Sequence, residues 1–140
     1  MSIEWSEKFE SGLDWQDRQH RELLKRINAF LDAMDHGPRA EEPARLLNFL
    51  WEYSVIHFDA EEQGMKKYKF PGAGVHIREH ADFMEDISRL KSDLKVSAST
   101  APVADFQRRI SDWFARHIGG TDKEFARFIF EAGQGREGDG

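Results

Sequence analysis

Apolar residues recur along this 140-residue chain at intervals of three and four and nowhere in strict alternation, so the pattern predicts helices and no strand. Leu23, Leu24, Ile27, Phe30, Leu31 and Met34 form one stripe, and Leu46, Leu47, Leu50 and Tyr53 a second. Phe83, Ile87, Leu90 and Leu94 form a third, and Val103, Phe106, Ile110 and Trp113 a fourth. Breaks fall at Gly37-Pro38, Phe70-Pro71-Gly72-Ala73-Gly74, the run from Ser97 to Pro102, and Gly119-Gly120. Helices are therefore expected over about 16–36, 42–66, 74–95 and 103–118. Rods of roughly 20 residues are about 30 Å long, and short loops between them favour an all-α, up-down-up-down four-helix bundle. An arm over about 1–15, with Trp5, Phe9, Leu13 and Trp15, is expected against its outside or one end. A short C-terminal helix is expected over 121–132, with Thr121 as its N-cap, and a disordered tail over 133–140.

Composition narrows the chemistry. One domain over about 1–132 is all that this length allows. With 26 acidic against 20 basic residues the net charge is −6, so nucleic acid and anionic membranes are repelled over most of the surface. Cys is absent, which removes disulfides, thiolate nucleophiles and iron–sulfur clusters, and leaves any metal to His, Asp or Glu. The opening Met1-Ser2-Ile3-Glu4-Trp5 has neither the basic start nor the apolar core of a signal peptide, and no apolar run reaches the roughly 20 residues of a membrane span. A cytoplasmic protein without membrane insertion is the expectation.

Five of the six His continue the apolar stripes. His20 precedes Leu23, Leu24 and Ile27; His76 and His80 lead into Phe83 and Ile87; His117 follows Ile110 and Trp113; His57 and Glu61 follow Leu50 and Ser54. Only His36, at the end of the first helix, reads as an ordinary solvated side chain. One inward His is usually a satisfied core residue. Burying five with a carboxylate and no partner would cost on the order of 1–3 kcal/mol each, comparable in sum with the stability of a small domain. A metal satisfies them most simply. His57-x-x-x-Glu61 and His76-x-x-x-His80 are i,i+4 pairs, about 40° apart on a helix, so both members can meet one centre. His117-x-x-x-x-Asp122 is i,i+5, about 140° apart, unless a break or local unwinding at Gly119-Gly120 turns Asp122 back. Five imidazoles and two carboxylates are too many for one four-coordinate or octahedral ion, but two ions sharing bridging carboxylates would use them all. Glu61, Asp122 and a bridging hydroxide leave two divalent ions near a net +1. No Glu-x-x-His occurs, which argues against the carboxylate-rich type of di-iron bundle.

Asp17-x-x-His20, His57-x-x-x-Glu61, His76-x-x-x-His80 and His117-x-x-x-x-Asp122, in this order, resemble the hemerythrin family in its single-domain bacterial form, bacteriohemerythrin. The similarity extends to Trp5-x-x-x-Phe9-x-x-Gly12, His57-Phe58-x-x-Glu61-Glu62-x-x-Met65, Tyr68-x-Phe70-Pro71 and Trp113-x-x-x-His117-Ile118, and so to nearly the whole chain. The resemblance implies a non-haem di-iron centre that binds dioxygen reversibly, in a carrier, storage or delivery protein rather than an enzyme. His76, His80 and His117 would complete a six-coordinate iron, His20 and His57 would hold a five-coordinate one, and Glu61 and Asp122 would bridge both beside an oxo or hydroxo group. Dioxygen would take the open position, in a pocket kept apolar against autoxidation. Gln16, Phe114 and Trp113 are expected to line it. Gln16 replaces a usual aliphatic residue, and its amide either reaches the pocket and makes it more polar or faces solvent or the arm; Phe114 replaces a common Leu, so the pocket is expected to be tighter or differently shaped.

Two further readings compete. His76-Ile77-Arg78-Glu79-His80 matches H-x-x-E-H, in which two His hold zinc and the Glu activates water for peptide hydrolysis; it leaves His20, His57 and His117 without a reason to face inward. An oxygen or redox sensor would need a separate protein partner, as would delivery to an oxygen-consuming enzyme. The oligomeric state is left open by the sequence.

Overall fold

The computed structural model describes residues 2–35, 41–96 and 101–134. His36 and Gly135–Gly140 lie outside them, as do the loop residues at Gly37-Pro38. Within them the chain is all-α: α1 (Asp14–Asp35), α2 (Glu41–Tyr68), α3 (Ala73–Val96), α4 (Ala101–Arg116) and α5 (Asp122–Ile129). Each rod packs on the next, and α4 returns against α1 to close the bundle. Pro102 occupies the first turn of α4, where its missing N–H is an unused donor in any case. At the end of α2, Phe70 N–H donates to Met65 O while Lys69 adopts φ 54°, a left-handed stop that turns the chain into α3.

Two expectations about the C-terminal half need correction. Of the break or local unwinding expected at Gly119-Gly120, the structure shows the unwinding, and the rod itself is not broken. His117–Thr121 forms a π turn that joins α4 to α5, and a second π turn, Phe130–Gln134, continues the helical path through Gly133 and Gln134 of the expected tail. Thr121 is no N-cap: its backbone is right-handed helical and its side chain makes no capping hydrogen bond. The physical reason is continuity, since Asp122 N–H bonds His117 O across the wider turn and leaves no helix start to cap.

The arm, too, is shorter than expected, because Asp14 and Trp15 already belong to α1. Its backbone is tied down by Asp17, whose carboxylate accepts from Ser11 N and Gly12 N at 2.8 and 3.0 Å, and by Asn28, which exchanges two 2.8 Å hydrogen bonds with Ile3. Phe9 then lies edge-on to Phe114, with ring centroids 4.9 Å apart, and over Gly119. The buried apolar residues divide into a large cluster that includes Leu23, Ile27, Phe30 and Ile110, and a smaller one of Leu13, Met65, Phe125, Ala126 and Ile129. No helix among the described residues is long and apolar enough to cross a membrane.

Candidate metal centre

His20, His57, Glu61, His76, His80, His117 and Asp122 are all buried, and the four rods bring them together. Glu61 is the hub. Its Oε2 lies 3.3 Å from both His20 Nε2 and His57 Nε2, and its Oε1 lies 2.9 Å from His80 Nε2 and 3.4 Å from His76 Nε2. Asp122 is the second hub: Oδ1 is 2.7 Å from His76 Nε2 and 3.2 Å from His117 Nε2, and Oδ2 is 2.9 Å from His20 Nε2. Two overlapping sets emerge, Glu61 with His76, His80, His117 and Asp122, and Glu61 with His20 and His57. The π turn explains how Asp122 joins them, because its i→i+5 backbone bond sets it one turn beyond His117 and on the same face.

These donors have the chemistry to hold metal cations. Nε2 of His57, His76 and His117 and both oxygens of Asp122 are buried without a hydrogen-bond partner, although they stand close together. Ligand atoms about 2.1 Å from one octahedral cation stand about 3.0 Å apart, the spacing found around each carboxylate. Without cations, charge is held another way. Burial disfavours charge on His20 and His117, but Asp122, helped by Glu61 at His20 and by Glu79 and then Glu61 at His117, outweighs it and raises them from 6.5 to about 9 and about 10. Burial also opposes ionisation of Glu61 and Asp122, and the surrounding imidazoles overcome it and hold both carboxyls well below their usual range.

The structure adds an outer ring of acceptors that the spacing analysis missed. His57 Nδ1–H donates to Gln19 Oε1 at 2.7 Å, His80 Nδ1–H to Glu62 Oε2 at 2.8 Å, and His117 Nδ1–H to Glu79 Oε1 at 2.6 Å. Each bond fixes a tautomer with Nε2 turned inward. The signal was in the sequence: Gln19, Glu62 and Glu79 each stand one residue from an inward residue, His20, Glu61 and His80, and each serves the His of the next helix. Nδ1 of His20 and of His76 have no partner among the described residues. Glu79 therefore lies behind His117 rather than beside an ion shared by His76 and His80, which removes the geometry that the H-x-x-E-H reading requires.

The three expected pocket residues separate. Gln16 is fully buried, and its Nε2 donates to Glu61 Oε2 at 2.8 Å while its Oε1 has no partner, so it adjoins the His20/His57 half. Phe114 is fully buried against Phe9. Trp113 belongs to the other half: its ring stacks on His117 with centroids 4.3 Å apart, and its Nε1–H donates to Glu79 O. Its position one turn before His117 placed it inward but could not say which imidazole it covers.

Residues 11–129 match the profile of the hemerythrin HHE cation binding domain. A bacteriohemerythrin of Methylococcus capsulatus is 30% identical over 117 residues, covering 83% of this chain and 87% of its own. A hemerythrin-like protein of Naegleria gruberi is 31% identical over 121 residues, covering 86% and 88% respectively. A myohemerythrin of Theromyzon tessulatum is 28% identical over 123 residues, covering 87% and 89%.

Proposed function

The chain belongs to the hemerythrin family, and on that premise we propose that its buried centre holds two non-haem iron ions and binds dioxygen reversibly. One observation carries this reading: imidazoles from four rods and two carboxylates converge in the interior, with Nε2 of His57, His76 and His117 and both oxygens of Asp122 left without a hydrogen-bond partner among the described residues. His76, His80 and His117 would hold one ion and His20 and His57 the other, with Glu61 and Asp122 shared between them. Bound iron of this kind supplies two electrons for the reversible capture of dioxygen.

The protein's own part is positioning and exclusion. Gln19, Glu62 and Glu79 hold three imidazoles in the metal-ready tautomer. Phe58 stacks on His80 at 4.0 Å and Trp113 on His117 at 4.3 Å, so flat apolar faces cover these ligands on the main-core side. Phe125 stands over His76 from the other side, 5.7 Å between ring centres, and Phe70 packs on Phe125. Water has little access between these layers, which favours a carrier over a site that turns over substrate.

Iron analysis together with the absorption spectrum under nitrogen and after oxygen tests the reading. Two irons per chain and a visible change reversed by removing oxygen are expected. A protein that takes up no iron under ample supply, or one zinc with peptidase activity, would overturn it.

A further inference from the structure

The two halves of the centre are backed unequally. Around the bundle each helix supplies an acceptor to an imidazole of the next: α1 gives Gln19 to His57, α2 gives Glu62 to His80, and α3 gives Glu79 to His117. The second and third acceptors are carboxylates and the first is a neutral amide. Among the described residues no acceptor reaches Nδ1 of His20 or of His76, one unbacked imidazole in each half. Carboxylate-backed imidazoles therefore occur only in the set of His76, His80 and His117, while the pair His20 and His57 has one amide and nothing else.

A carboxylate behind an imidazole makes it a stronger base and adds negative charge one ring away from the cation, whereas an amide fixes the tautomer without the charge. The better-backed half also has one imidazole more. Resting on the two-ion reading, we infer that the centre loads in order: the first divalent cation enters the His76/His80/His117 half, and the second enters the His20/His57 half with lower affinity. Glu62 and Glu79 are positioning residues that set this order, and Gln19 keeps the second half weak.

Cobalt(II), which needs no oxygen chemistry to be seen, is the probe. The metal-free full-length chain is titrated with Co(II) under nitrogen, the d–d absorption gives the isotherm, and paramagnetic NMR shifts show which imidazoles respond first. Two steps separated at least about tenfold are expected, with His80 and His117 shifted by the first equivalent. Glu62→Gln and Glu79→Gln should each weaken the first step by about 10–100-fold and leave the second in place, and Gln19→Glu should tighten the second. Both ions entering in one step, first entry at His20 and His57, or equal weakening of both steps in the Glu variants would overturn the order. Should the Glu variants lose their helical dichroism, Gln19→Glu decides alone, and an unchanged second step counts against the inference. Saturation below two ions per chain is a different failure, that of the two-ion reading itself.

Discussion

A buried amide is costly unless both of its ends are bonded, and Gln16 satisfies only one, since its Nε2 donates to Glu61 while its Oε1 meets nothing. That leftover polarity stands in the half formed by His20 and His57, where the family resemblance places dioxygen. On the di-iron reading proposed above, an amide beside bound oxygen would offer protons and attract water, both of which would favour autoxidation. Gln16→Leu is therefore expected to slow autoxidation of the oxygenated protein on the order of three- to tenfold, the rate equivalent of one hydrogen bond of about 1 kcal/mol. The decay of the oxygenated spectrum at fixed temperature measures it, and an unchanged rate would mean that the amide acts on Glu61 alone. The reading of Gln16 from sequence could go no further than a departure at an inward position, because a glutamine one turn before His20 faces the core, the arm or solvent with nearly the same pattern. Only the packing of α1 against α2 shows that it reaches a carboxylate 45 residues away.

At the scale of elements, the stripes of the four rods were legible because each buries one apolar face, and periodicity reports that directly. The junction after α4 was legible only as a pair of alternatives, a break or a local unwinding. Two adjacent glycines predict weakness in a helix, but whether the weak turn opens or merely widens depends on what it must satisfy, and here Asp122 is drawn back among the imidazoles while Phe9 packs over Gly119. If facial position is what matters, the junction should tolerate change in one direction only. Deleting Gly120, around which a side chain would meet open space, makes His117 and Asp122 an i,i+4 pair, about 40° apart on a regular helix, and two ions per chain should still bind. Inserting one alanine after Gly120 turns Asp122 by about 100° further and should abolish the second equivalent while helical dichroism persists. Equal loss in both variants would show that the widened turn itself is needed. The stop of α2 offers a simpler test: Lys69 holds φ 54°, a region costly for a residue with a Cβ, so Lys69→Gly should raise stability by about 0.5–1 kcal/mol in urea unfolding, and a loss instead would mean that its side chain compensates.

For the molecule as a whole, the centre is a polar layer between two apolar clusters, so the stability of the folded state depends on what neutralises seven buried donors. Composition foretold the conflict but not its resolution in the absence of metal, which follows from the contacts of Asp122 and Glu61. In the metal-free chain His20 and His117 titrate at about 9 and about 10 rather than 6.5, so their protonated forms contribute stability that is complete below pH 6.5 and is lost as pH rises through those values. Glu61 and Asp122 are shifted down from 4.5 and 3.8, and their contribution is present above those values and fades only in acid. The metal-free chain should thus be most stable between about pH 4.5 and 6.5 and weaken toward pH 10. On the two-ion reading, cations would take the place of these protons and bind neutral imidazole, so the loaded chain should keep its stability over the same alkaline range. The melting temperatures of the two forms should therefore diverge between pH 6.5 and 9 by several degrees, at about 2–4 °C per kcal/mol for a domain of this size. Calorimetry of both forms across that interval measures the divergence, and parallel curves would mean that Asp122 and Glu61 do not hold protons on His20 and His117 when the ions are gone.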